Sequence, residues 1–130
     1  MKQVYIAGKY TGVDYLEVDR NIAAAREAAA FLARNRIAYH CPHMNSAHFE
    51  VITPEVPPEF WYEMTLEAMR RCDALLVLPS WSQSKGTQGE LAEAHKLGLP
   101  VFYYFDDDSE LADGEVMQLR NWYFGTAEVA

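Results

Sequence analysis

The chain predicts an α/β fold, a three-layer sandwich of the flavodoxin or Rossmann-like kind. In it a parallel sheet of four to five strands carries helices on both faces. Three observations point there. Short apolar, β-prone runs alternate with helix-period stretches in the order β-α-β-α-β-α-β-α, which implies parallel strands joined by crossover helices. One run, Ala74-Leu75-Leu76-Val77-Leu78, is apolar without a break, as a central strand buried on both faces must be. Half of the 130 residues are apolar, enough for one core, so a single domain over residues 1–130 is expected.

The elements follow in order. Val4-Tyr5-Ile6-Ala7 is short, apolar and stopped by Gly8, a first strand. From about Val18 to Asn35 the period is helical: Ile22, Ala25, Ala29 and Leu32 form the apolar stripe, with Arg20, Glu27 and Arg34 turned to water. Ile37 to Cys41 reads as strand two, ended by Pro42, and a long loop follows. Thr53 to Pro58 holds three prolines, too many for regular structure. A second helix runs from Pro58 or Glu59 to Arg71, since proline is tolerated in a first helical turn. Strand three is Ala74–Leu78. A third helix runs from about Thr87 to Leu97, stopped by Gly98 and then Pro100. Val101 to Phe105 is strand four, and Gly114 to Trp122 a last helical piece. Thr126 to Ala130 is expected to fray.

Composition excludes several function classes. A net charge of −8 argues against binding a nucleic acid polymer, which rests on many Lys and Arg contacts to phosphates. One small phosphorylated ligand remains compatible with it. No apolar stretch approaches the roughly 18 residues of a membrane span. Met1-Lys2-Gln3 leads straight into a strand rather than a secretory core. Cys41 and Cys72 lack metal-type spacing and suit a reduced compartment as buried small side chains. A cytoplasmic protein is expected.

In parallel sheets ligands bind beyond the carboxyl ends of the strands, where strand order reverses. Four loops leave those ends: Gly8–Gly12, His43–His48, Pro79–Gly89 and Asp106–Asp108. All are expected to converge on one edge. Ile6-Ala7-Gly8-Lys9-Tyr10-Thr11-Gly12 has neither the spacing of a dinucleotide fingerprint nor the earlier glycine of a P-loop. Ser84-Lys85-Gly86-Thr87-Gln88-Gly89-Glu90 is richer. Gly86 and Gly89 permit close backbone approach, Ser84 and Thr87 offer hydroxyls, Lys85 a charge, and a helix start offers free N–H groups. That is a cradle for a phosphate. Glu90 then sits near the helix start, where an acid is also favoured by the macrodipole alone. Spacing gives His40, His43 and His48 no metal-binding pattern, and Asp106-Asp107-Asp108 reads as a solvated turn. Asp73 is a turn or cap residue at the far end of its strand. No metal or cofactor is called for. Trp61, Tyr62 and Met69 share one helix face, which core packing explains by default.

Together these residues resemble the nucleoside 2-deoxyribosyltransferase superfamily, over about residues 4 to 104. Tyr5-Ile6-Ala7-Gly8 resembles its first strand, with a Tyr and a Gly beside the sugar. Cys72-Asp73-Ala74-Leu75-Leu76-Val77 resembles its acidic third-strand start. Ser84-x-Gly86-x-x-x-Glu90 resembles its phosphate loop and catalytic glutamate. The branch closest in pattern is the small bacterial and phage set, related to nucleoside 5′-monophosphate N-glycosidases. The resemblance implies a hydrolase or transferase that cleaves the N-glycosidic bond of a (deoxy)nucleoside or nucleoside 5′-monophosphate. Glu90 would be the nucleophile and Tyr5 would orient it or touch the sugar. Gly8, Lys9, Ser84 and Gly86 would bind the sugar and its 5′ group, and Trp61 would border the base. It also implies a homodimer or larger homo-oligomer.

One position departs from the family. An Arg-Asp-Leu usually stands on the helix before strand three; here the stretch is Met64-Thr65-Leu66, so Thr65 replaces the aspartate. Glu63 and Glu67 lie about 200° around the helix from it and should face elsewhere. The alternative reading is therefore a non-catalytic nucleotide-binding module. An acidic interaction protein is a third.

Overall fold

The computed structural model describes residues 1–125. Four strands, β1 (Val4–Ala7), β2 (Tyr39–His40), β3 (Ala74–Val77) and β4 (Val101–Tyr103), pair in the order β2-β1-β3-β4, all parallel. The predicted α/β class and parallel sheet are what the chain forms. From β1 the chain goes first to one side, to β2, and then back across to β3. The reversal of order falls between β1 and β3, the two central strands.

Strand residues alternate between two apolar layers. Val4 and Ile6 of β1, Ala74 and Leu76 of β3, and Phe102 of β4 face α1 (Tyr15–Arg34) and α6 (Glu110–Phe124), meeting Ala25, Ala29, Leu32 and Leu119. Tyr5, Ala7, Leu75 and Val77 face the other way, against Met69 of α4 (Pro58–Arg70) and Ala94 of α5 (Lys85–Leu97). The two central strands are buried at all eight positions, as the unbroken apolar run of β3 requires.

Several boundaries differ from the sequence reading, for local reasons. Helix α1 starts at Tyr15, not Val18, because Asp14 accepts the Glu17 N–H as its N-cap. Strand β2 shrinks to two residues at the sheet edge; Ile37 is buried but precedes it. The segment expected as loop after Pro42 forms two single-turn helices, α2 (Pro42–Asn45) and α3 (Phe49–Ile52). Helix α5 begins at Lys85 because Ser84 caps it, and α6 begins at Glu110 because Ser109 does. Gly98 ends α5 in the left-handed conformation, φ 72°. The expected fraying of Thr126 to Ala130 lies outside the described residues. No helix among those described is long and apolar enough to cross a membrane.

Leu32 is fully buried between α1 and the sheet. Leu32→Ala should lower the unfolding free energy by about 2–5 kcal/mol, read from the midpoint of a urea titration.

Candidate active site

Tyr5 and Glu90 meet on the α4–α5 side of the sheet. Tyr5 is the second residue of β1 and is fully buried. The inward face of α5 is set by its helical period: Thr87, Glu90 and Ala94, three and four residues apart, are its buried residues. That period turns the Glu90 side chain toward β1. The Tyr5 Oη donates a hydrogen bond to Glu90 Oε2, joining residues 85 apart in sequence. Glu90 lies in the second turn of α5, one turn deeper than the sequence reading placed it, and is 7% exposed.

Burial dominates the electrostatics. Desolvation pushes the Glu90 carboxyl up to about 7, against the opposing pull of the Tyr5 hydrogen bond, which favours the ionised form. The Tyr5 phenol is held well above its usual value by burial and then by the Glu90 charge, so it stays a donor. The Thr65 hydroxyl acts on Tyr5 in the opposite direction, which puts it beside the phenol; it also donates to the Tyr62 carbonyl at 2.9 Å. Position 65 thus faces the pair but brings a hydroxyl instead of a carboxylate. Glu63 and Glu67 line an open groove on the outer side of α4 with Phe60 and Arg71, away from Tyr5.

Around the pair the loops take different parts. Ser84 Oγ accepts from both the Thr87 N–H at 3.1 Å and the Thr87 hydroxyl at 2.9 Å. Gly86 has open space where a Cβ would go. A Cβ on Gly8 would collide with Leu78, so the loops after β1 and β3 touch through that glycine. Lys9 donates to Glu17 Oε1 at 2.7 Å, an intramolecular ion pair. His43, buried, donates from Nε2 to the Lys9 carbonyl at 3.0 Å, and Tyr10 accepts from the His48 N–H at 2.8 Å. These bonds tie the segment after β2 to the loop after β1. Asp106–Asp108 is exposed, and Asp107 bonds to the Ser109 N–H at the start of α6. Trp61 packs edge-on against Phe49 and Phe60, at 5.7 and 5.3 Å; no described contact joins it to Tyr5 or Glu90. Asp73 accepts from the Gln3 N–H at the opposite, amino end of the strands.

Two residues outside the predicted set border the pair. The Tyr62 hydroxyl sits against Gly89, where a Cβ would collide with it, and burial and then the nearby Glu90 charge raise its phenol. Gly89 was the available sequence signal: a glycine inside a helix that admits a neighbour's side chain. His40 pairs with Tyr5 in the β1–β2 register and stacks on its ring, centroids 5.8 Å apart. Register across strands is not readable from either run alone. Chemically, the site offers one buried carboxylate that ionises near neutrality, held by a phenol and ringed by hydroxyls, at the point where strand order reverses.

That fold places the chain beside known proteins. A 2-deoxyribosyltransferase from the psychrotolerant bacterium Bacillus psychrosaccharolyticus is similar over 95% of this chain and 94% of that one, with a TM-score of 0.61 and 17% identity. A 2-deoxyribosyltransferase from Leishmania mexicana is similar over 82% of this chain and 66% of that one, with a TM-score of 0.58 and 22% identity. The fold is that of the 2-deoxyribosyltransferases; at these identities the likeness is one of fold. The chain itself belongs to the family described as a domain of unknown function (DUF4406), whose profile matches residues 2–103. No curated protein matches it.

A carboxyl whose pKa rises on folding binds more protons folded than unfolded between about 4.5 and 7, so it subtracts stability as pH rises through that window. Glu90→Gln should remove this loss. The variant should match wild type near pH 4.5 and exceed it by on the order of 3 kcal/mol above pH 7.5, in denaturant unfolding at both pH values.

Proposed function

We propose that the chain cleaves the N-glycosidic bond of a (deoxy)nucleoside or nucleoside 5′-monophosphate, with Glu90 as nucleophile. The observation that carries this reading is the Tyr5–Glu90 pair, a buried carboxylate with one donor, set beside the switch point of a parallel sheet. The fold shared with 2-deoxyribosyltransferases supports it. A Glu90 carboxylate oxygen attacks the anomeric carbon as the bond to the base nitrogen breaks. The base leaves with that electron pair and takes up a proton. The glycosyl ester on Glu90 then passes the sugar to water or to a second base. Tyr5 fixes the carboxylate and stabilises its charge. Gly8, Ser84 and Gly86 border the 5′ end of the sugar. Thr65 supplies a hydroxyl and no acid, so the reaction favours bases that leave readily or take their proton from water.

Thr65 also favours a second reading, in which the chain binds nucleotides without turnover. Homo-oligomerisation and a cytoplasmic setting belong to the same proposal.

Free-base release from a panel of nucleosides and their 5′-monophosphates tests it. Glu90→Gln should lower release at least a hundredfold. Since the ionised carboxylate attacks, kcat/KM should rise with pH through about 7 and level off above. Binding without release by wild type would favour the second reading.

A further inference from the structure

The geometry points to Glu17 as the residue that sets the substrate class of this site: it selects a nucleoside with a free 5′-hydroxyl over its 5′-monophosphate. The inference rests on the glycosyl-transfer reading above. A sugar held at Tyr5–Glu90 is flanked by the loops that leave the two central strands, residues 8–14 and 78–84. A 5′-phosphate placed there needs uncommitted positive charge and several hydrogen-bond donors.

The cation of the first loop is committed. Lys9 is partly buried, and its ammonium lies 2.7 Å from Glu17 Oε1. Glu17 is held on its other sides as well. Its Oε2 accepts from the Val13 N–H at 2.9 Å, and its own N–H donates to the Asp14 cap at 2.9 Å. Gly12 makes room for it, since a Cβ there would collide with the Glu17 side chain. The Lys9 ammonium, and after it the Val13 N–H, hold the Glu17 carboxyl below its usual range. A phosphate dianion at Lys9 would have to break this pair and then sit beside a carboxylate fixed by the start of α1. Asp19 and Glu50, which face His48 at 3.4 and 3.7 Å, add negative charge on the same edge.

The Ser84 and Thr87 side chains of the second loop are committed to each other. Thr87 spends both its N–H and its hydroxyl proton on Ser84 Oγ. What remains on those two side chains is the single Ser84 hydroxyl proton. That one side-chain donor matches a neutral 5′-hydroxyl. Lys85 is exposed at the first position of α5.

The test measures binding of the common 2′-deoxynucleosides and their 5′-monophosphates by calorimetry, in the Glu90→Gln background, where no turnover intrudes. The nucleoside should bind at least tenfold more tightly than its monophosphate. Adding Glu17→Gln should narrow that ratio at least fivefold, by freeing Lys9. Lys9→Met, which leaves the Glu17 charge without its cation, should widen it, and it keeps the test alive where Glu17→Gln loosens the start of α1. A monophosphate that binds as well as the nucleoside or better overturns the inference, as does a ratio that neither variant moves. Base release by wild type is followed in parallel. A preference that holds without release removes the glycosidase reading and keeps the role of Glu17, whereas release confined to monophosphates keeps the first and removes the second.

Discussion

A carboxylate inside an apolar layer costs free energy unless something compensates it, and that cost organises this molecule. Glu90 is buried on the side of the sheet that packs against α4 and α5, the side whose apolar cluster includes Ala7, Met69, Val77 and Ala94. Its compensation is the Tyr5 hydroxyl, delivered by a strand residue that is itself fully buried. The bond fixes how α5 sits on β1, because Glu90 can reach Tyr5 only when the Thr87–Glu90–Ala94 face turns inward. It also leaves the carboxyl only partly repaid, with its proton equilibrium shifted to near neutrality. A packing requirement and a chemical disposition are thus the same interaction. Structural ion pairs can also shift proton equilibria; here the carboxyl meets a neutral phenol, so the unrepaid cost stays with Glu90.

The loops at that edge are closed systems of their own. Lys9 and Glu17 neutralise each other, Ser84 and Thr87 exchange hydrogen bonds, and Tyr10 joins Glu50 to the His48 backbone. Residues that look like ligand contacts in a sequence already have partners within the chain. A ligand here competes with those partners, and discrimination follows from which of them it can displace. Thr65 belongs to the same economy: its hydroxyl reaches Tyr5 and the Tyr62 carbonyl without adding a charge to a site that already holds one.

The sheet was legible because its signal is strong. Val4–Ala7 and Ala74–Val77 are continuous apolar runs, and only two-sided burial explains such runs. The start of helix α4 is marked by prolines, the end of α5 by Gly98. The starts of α1, α5 and α6 were missed by two to four residues, because Asp14, Ser84 and Ser109 act as caps through single side-chain bonds that apolar periodicity does not register. The two turns of helix after Pro42 are too short to carry a period. Within the site, Tyr5 and Glu90 were singled out, yet only the fold brings them into contact. The Lys9–Glu17 pair bridges a loop and a helix at no helical spacing, so sequence alone left Lys9 free for a ligand. Trp61, read as a neighbour of the base, packs with Phe49 of a helix the sequence did not reveal.

The chemistry of this site depends on the ionisation of one group, Glu90. Carbon-13 NMR of labelled glutamate carboxyls, with Glu90 assigned by its loss in Glu90→Gln, follows that group through a pH titration of the folded protein. The structure predicts a midpoint near 7 in wild type and a higher one in Tyr5→Phe, where the bond that favours the charged form is gone. A midpoint in the ordinary range near 4.5 would mean that Glu90 is not desolvated, and one that Tyr5→Phe leaves in place would mean that Tyr5 does not hold it; either result contradicts the site described here.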